Sequence, residues 1–154
     1  MVDKLPLAAP PSSVCLFRLS ALGDCANILP IVHTLRRHWP QTQITWVIGK
    51  LEASLIGDLP GVELVILDKK AGRKGRLSLK QQLEVRDFDV LLHMDAGFRA
   101  NLSSRMVPAK IRLGFNRERS RDLQGWFVNR RITPPAGNHV LDGFFGFLET
   151  LGLD

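Results

Sequence analysis

The sequence predicts an α/β fold built on a Rossmann-like, doubly wound, mostly parallel sheet. Three observations lead there. Short apolar, β-branched runs alternate with stretches of helical periodicity, the pattern of βαβ units. At 154 residues, 45% hydrophobic and 23% charged, the chain fits one domain with a sizeable core. No internal repeat, low-complexity tract or bilayer-length apolar run points to another class.

The elements follow in order. Residues 1–13, rich in proline and alanine with no basic leader, read as a flexible N-terminal tail rather than a signal peptide. Val14 to Arg18 is a buried strand. Ile28, Ile31, Val32 and Leu35 then fall on one helical face. Pro30 implies a kink, or a separate first turn with Pro30 opening the main helix. Pro40 ends that helix. Ile44 to Gly49 is the second strand, followed by a short helix near Glu52 to Ile56 and a turn at Leu59-Pro60-Gly61. Val62 to Leu67 is the third strand, and Lys69 to Arg76 a basic loop. Ser78 with Gln81 resembles a capping box for a helix running to about Arg86. Asp89 to Met94 is the fourth strand, with a helix near Arg99 to Met106 after it. Lys110 to Phe115 is the fifth strand. A helix from His139 to Leu151 closes on Gly152.

Ligands of such sheets bind beyond the carboxyl ends of the strands. That rule selects three segments: Leu19 to Asp24, Asp68 to Arg76 and Asp95 to Arg99. Gly23-Asp24 stands where the first strand hands over to the first helix. Gly23 allows a tight turn and a close ligand approach. Asp24 is either a helix cap or, as an ionised carboxylate, a general base. Lys69, Lys70, Arg73, Lys74 and Arg76 form either a phosphate-gripping loop or a solvated run. Arg117, Arg119 and Arg121 are a similar case. Asp95 is a turn-former or a ligand contact, and Arg99 is placed to hold an anion. No dinucleotide or P-loop motif is present, which disfavours a nicotinamide enzyme. The spacing of His33, His38, His93 and His139 does not suit a metal, and Cys15 and Cys25 suggest neither zinc nor a disulfide framework. A reducing cytosol is the simplest setting. The formal net charge of +6 suits an anionic partner; with few aromatics and no recognition motif, nucleic acid is the weaker choice.

Several segments together resemble glycosyltransferase family 9, the ADP-heptose:lipopolysaccharide heptosyltransferases. They are Phe17-Arg-Leu-Ser-Ala-Leu-Gly-Asp24, Leu29-Pro30, Trp39-Pro40, Ile44-Thr-Trp-Val-Ile48, Asp68-Lys-Lys70, Asp89-Val-Leu-Leu92, Arg112-Leu-Gly-Phe115 and His139-Val-Leu-Asp142. The resemblance runs from Val14 onward, and its most specific part is the R-x-S-x-x-G-D signature. It implies the N-terminal half of a GT-B architecture, with residues 14–154 forming the acceptor-side domain and the donor-binding domain absent from the chain. It implies inverting transfer from ADP-heptose to the Kdo and inner core of lipopolysaccharide without a metal or cofactor. Asp24 would be the base. Ser20, Gly23, Lys69, Lys70, Arg73, Lys74, Arg76, Arg99, Arg117, Arg119 and Arg121 would be acceptor-side candidates for Kdo-lipid A. It further implies a cytoplasmic enzyme in peripheral contact with the inner membrane, and an isolated chain inactive as a transferase. Asp95-Ala-Gly-Phe-Arg99 departs from the family's D-x-Q-G-type pattern. A non-catalytic anion-binding module is the alternative.

Overall fold

The computed structural model describes residues 5–117, 119–120, 123–134, 137 and 139–153, with the side chains of Lys69 and Val140 excepted. Six strands, β1 (Ser13–Phe17), β2 (Gln43–Gly49), β3 (Val62–Leu67), β4 (Phe88–His93), β5 (Ala109–Gly114) and β6 (Arg130–Arg131), form one sheet. Their order is β3-β2-β1-β4-β5-β6, and every pairing is parallel. The direction of winding reverses between β1 and β4, which places a crevice at their carboxyl ends. The expected doubly wound sheet is therefore present. β6 was not foreseen, because two exposed arginines carry no strand signal.

β1 and β4 are buried on both faces, which is why they read as continuous apolar runs rather than alternating ones. Alternate residues feed two cores. Val14 and Leu16 join one face with α1 (Leu22–Ala26), α2 (Leu29–His38) and α6 (Val140–Leu151), through Cys25, Ile31, Leu35, Phe144 and Phe147. Cys15 and Phe17 join the other with α4 (Gly72–Leu83) and α5 (Phe98–Ser104), through Leu79, Leu83 and Ala100. Fully burying each such large apolar side chain stabilises the fold by about 2 kcal/mol. α3 (Lys50–Ile56) adds Ala53 to the first core.

Pro30 lies in the first turn of α2, after a separate short α1, so its missing N–H costs no helix bond. α6 starts with His139 as its N-cap, in a capping box with Asp142, and ends on Gly152 in the left-handed conformation.

Two expectations need correction. The basic segment is not a loop: Lys69–Ala71 forms a 3₁₀ turn and α4 begins at Gly72. Ser78 therefore lies inside the helix and caps nothing. Gly72 turns the chain at φ 54°, and a Cβ on Gly75 would stand 2.8 Å from the Asp68 carbonyl oxygen. Those two glycines, rather than a capping box, set the helix start.

Residues 5–12 also differ from a loose tail. Leu7 N–H donates to Leu151 O, and Gln43 N–H to Ser12 O. Thr42 Oγ1 donates to Pro11 O, and Ser12 N–H to Asp89 Oδ2. Leu5 and Leu7 pack against the first core.

Candidate active site

The carboxyl end of β1 is anchored before it reaches Asp24. Arg18 N–H donates to Val47 O, and the Trp46 indole N–H donates to Arg18 O. The backbone is thus fixed and the Arg18 side chain is free to reach forward. Its Nη2 donates to Asp24 Oδ2 at 2.7 Å and its Nη1 to Met94 O at 2.8 Å. The guanidinium lies 5.8 Å from the centroid of the Phe144 ring on α6, on whose π-face a cation is favoured. A neighbour at the end of β4 and one on the last helix thus hold Arg18, and Arg18 holds the carboxylate. The Asp24 side chain keeps 38% of its surface exposed against 16% for Arg18. It is positioned and still reachable.

Of the two readings of Asp24, capping is excluded. The N-cap of α1 is Ala21, without a side-chain bond, and Asp24 sits within the first turn. Gly23 is helical rather than in a turn, and nothing lies within 4 Å of where its Cβ would be. The space above it is open to an incoming group.

On the other face of β1 a cavity of about 780 Å³ opens to solvent, in the size range of small-molecule sites. Its walls come from the three segments that the sheet rule selected. Of the sequence-predicted residues, Ser20, Lys70, Arg73, Arg76 and Arg99 line it. Its two carboxylates are already engaged. Asp68 Oδ1 accepts from Lys70 N–H, while Asp95 accepts from Leu19 N–H through Oδ2 and Gly97 N–H through Oδ1. Asp95 is thus a turn-former that ties β1 to the start of α5. The four cations have no hydrogen-bonded or ion-paired side-chain partner among the described residues. The N-terminus of the twelve-residue α4 also lines the cavity, through Gly72, Arg73 and Arg76, and lacks a side-chain cap. Its dipole adds positive potential to that of the side chains. The cavity is built for an anion.

The remaining candidates separate. Lys74 is exposed and does not line the cavity. Arg117 is exposed away from it, and Arg119 Nη2 donates to Gly137 O beside α6. Arg121 and the Lys69 side chain lie outside the described residues.

Buried polar groups beside the site have architectural work. His93 is fully buried, its Nε2 lies 2.7 Å from Asn101 Oδ1, and burial holds its pKa down to about 4. It is neutral at physiological pH. Gln124, also fully buried, donates from Nε2 to the carbonyls of His93 and Asp95 and accepts Phe115 N–H at Oε1. Arg112 donates to the carbonyls of Ser104, Val107 and Phe127, and burial pulls its pKa below the usual range. Cys15 and Cys25 are buried free thiols; burial raises both, Cys25 to about 12. Neither is a nucleophile at neutral pH. Local pattern missed Arg18, Gln124, Asn101 and Arg112 as positioning residues. Arg18 had a signal, as the first residue of the R-x-S-x-x-G-D motif, and Arg112 as the first of the Arg112-Leu-Gly-Phe115 segment, though neither announced a positioning role.

A parallel doubly wound sheet with a held carboxylate and a cationic cavity at the carboxyl ends of its strands defines a Rossmann-like α/β domain with a ligand crevice. The comparisons narrow that class. Residues 76–154 match the model of glycosyltransferase family 9 (heptosyltransferase). Over 143 residues the chain is 46% identical to the lipopolysaccharide core heptosyltransferase OpsX of Haemophilus influenzae, covering 93% of this chain and 41% of that protein. Among solved structures, a family 9 glycosyltransferase from Veillonella parvula superposes with a TM-score of 0.74 at 24% identity, covering 93% of this chain and 42% of that one. The E. coli heptosyltransferase WaaC with ADP gives 0.78 at 18% identity, covering 92% and 48%. This chain belongs to glycosyltransferase family 9. It spans less than half the length of these relatives.

Proposed function

We propose that this domain is the acceptor side of an inverting heptosyltransferase of the lipopolysaccharide core, with Asp24 as its general base. The observation that carries the reading is the Arg18–Asp24 pair, an exposed carboxylate held after β1, whose other face borders a cavity lined by cations without side-chain partners among the described residues. The relative OpsX acts on the lipopolysaccharide core, and WaaC binds ADP. Asp24 takes the proton of an acceptor hydroxyl as that oxygen bonds to the anomeric carbon of heptose. The bond from that carbon to ADP breaks on the opposite face, ADP leaves with the electron pair, and the configuration inverts. Arg18 fixes the carboxylate so that one oxygen faces the hydroxyl. Lys70, Arg73, Arg76 and Arg99 meet the carboxylate and phosphate groups of Kdo-lipid A, which arginine binds bidentately. ADP-heptose is held mainly by a second domain.

The test is transfer from ADP-heptose to Kdo-lipid A by the full gene product, wild type against Asp24→Asn. Loss of a positioned base is expected to lower kcat by about 10²- to 10⁴-fold with the circular dichroism spectrum unchanged. A folded Asp24→Asn protein that transfers at the wild-type rate would remove Asp24 from the chemistry.

A further inference from the structure

We propose that Phe98 sets the selectivity of the cationic cavity, as an aromatic platform on which the C–H face of an acidic sugar ring stacks while the cations around it take the charge. That the occupant is a sugar rests on the acceptor reading above; that it joins a charge to an apolar face does not. Exposure is the first observation. Of the eight phenylalanines, six are at most 7% exposed and Phe145 is half-buried, whereas Phe98 is 49% exposed. A single exposed apolar residue is ordinary on a protein surface, so its surroundings must decide.

Those surroundings are the cavity itself. Phe98 is the first residue of α5 and lines the cavity beside Arg99, with Leu19, Leu67 and Ala100 continuing its apolar wall. α5 packs into the fold through Ala100, Asn101, Ser103 and Ser104, so the helix does not need the phenyl ring to be held. The ring also has no partner of its own. Arg86 covers the ring of Phe88 and Arg105 that of Phe127, but Phe98 forms no aromatic or cation–π pair among the described residues. Four cations share the cavity with it, and its face stays open.

The mixture selects the occupant. A bare inorganic anion would satisfy the cations and leave the ring in water, whereas an uncharged apolar ligand would cost the cations their hydration. An acidic sugar uses both. The C–H bonds of one ring face meet the negative π-face of the phenyl group, the acid group meets the arginines bidentately, and the hydroxyls keep water or polar partners. A planar nucleobase is held best between two apolar walls, and this cavity offers one ring and opens to solvent. Selectivity follows from the contact. A sugar carrying a substituent on the stacked face is lifted off the ring and loses the contact, while the cations alone would not tell the two apart.

The test titrates the full gene product with Kdo and, separately, with inorganic phosphate, and irradiates the aromatic protons of the protein in saturation-transfer NMR on Kdo. Saturation is expected to reach the C–H protons of one Kdo face and to fade in Phe98→Ala. That variant should bind Kdo about fivefold to tenfold more weakly and phosphate within about twofold of wild type. Phe98→Leu, which keeps apolar area without a π-face, should also weaken Kdo, and Phe98→Trp should retain it. Arg73→Ala with Arg76→Ala should weaken both anions. Kdo affinity equal to wild type in Phe98→Ala or in Phe98→Leu overturns the proposal. So does a wild type that binds phosphate without Kdo, or Phe98-dependent binding of adenosine in its place. In the transfer assay, Phe98→Ala should raise KM for Kdo-lipid A by the same factor and leave kcat unchanged. A wild type that binds Kdo through Phe98 yet transfers no heptose removes the heptosyl reading and keeps the platform. Asp24-dependent transfer with KM unchanged in Phe98→Ala removes only the platform.

Discussion

Two sets of polar side chains stand at the carboxyl end of the sheet and behave oppositely. Around β4, His93, Asn101, Gln124 and Asp95 are all at least nine-tenths buried; His93 Nε2 pairs with Asn101 Oδ1, while Gln124 and Asp95 bond to backbone amides and carbonyls. At the start of α4 and α5, Lys70, Arg73, Arg76 and Arg99 face a cavity and form no side-chain hydrogen bond or ion pair among the described residues. A polar group that the fold has satisfied serves the fold. One left unsatisfied at the mouth of a cavity is available to something that arrives. Position in the sheet is the same for both sets, so burial and partnership, not location, distinguish architecture from site.

The contrast can be broken by substitution. The largest loss of stability is expected for Gln124→Ala, which strands a buried N–H and two carbonyls at once. Each unsatisfied group costs about 1–3 kcal/mol, so urea denaturation should show several kcal/mol lost. A loss below 1 kcal/mol would mean that water replaces the amide and that the network is not architectural.

Acid comes next. The folded pKa of His93 is about 4, against an ordinary 6.5, because burial disfavours the charged ring. Above 6.5 neither state is protonated and the residue has no effect. As pH falls from 6.5 toward 4, the unfolded chain binds a proton that the native state refuses, so stability declines by about 3 kcal/mol in total. Denaturation midpoints across that window should fall in wild type and flatten in His93→Gln. An unchanged slope would move the acid sensitivity elsewhere.

The smallest stability effect belongs to the open set. Arg73→Ala with Arg76→Ala should change stability by less than about 0.5 kcal/mol per site. KM for the anionic acceptor should rise by about tenfold or more, because a charge-assisted bond is worth about 1.5–3 kcal/mol. If the double variant unfolds instead, those arginines belong with the architecture and the distinction fails.

How far the sequence carried follows the same division. The first five strands were legible because both faces of the central ones are buried, so apolar content alone marked them within a residue or so. The position of Asp24 was legible because fold topology puts a switch point at the first strand's end. The basic segment misled because lysine, arginine and glycine in succession look like a loop, whereas Gly72 and Gly75 there shape a helix start. The bonding roles of Gln124, Asn101 and Arg112 were illegible. Their partners are backbone groups or, for Asn101, the His93 ring, all outside any local pattern, and no composition or spacing announces such a bond. Exposed Phe98 likewise gave no sign of itself, since an isolated phenylalanine in sequence is more often a core residue.

The seat of Asp24 also has a temporal consequence. Its orientation depends on residue 18, on a carbonyl at residue 94 and on a ring at residue 144. A ribosome therefore delivers the carboxylate early and the last part of its mounting some 120 residues later. Until the final helix has docked, a nascent or partly assembled molecule carries that carboxylate without the full set of contacts that orients it.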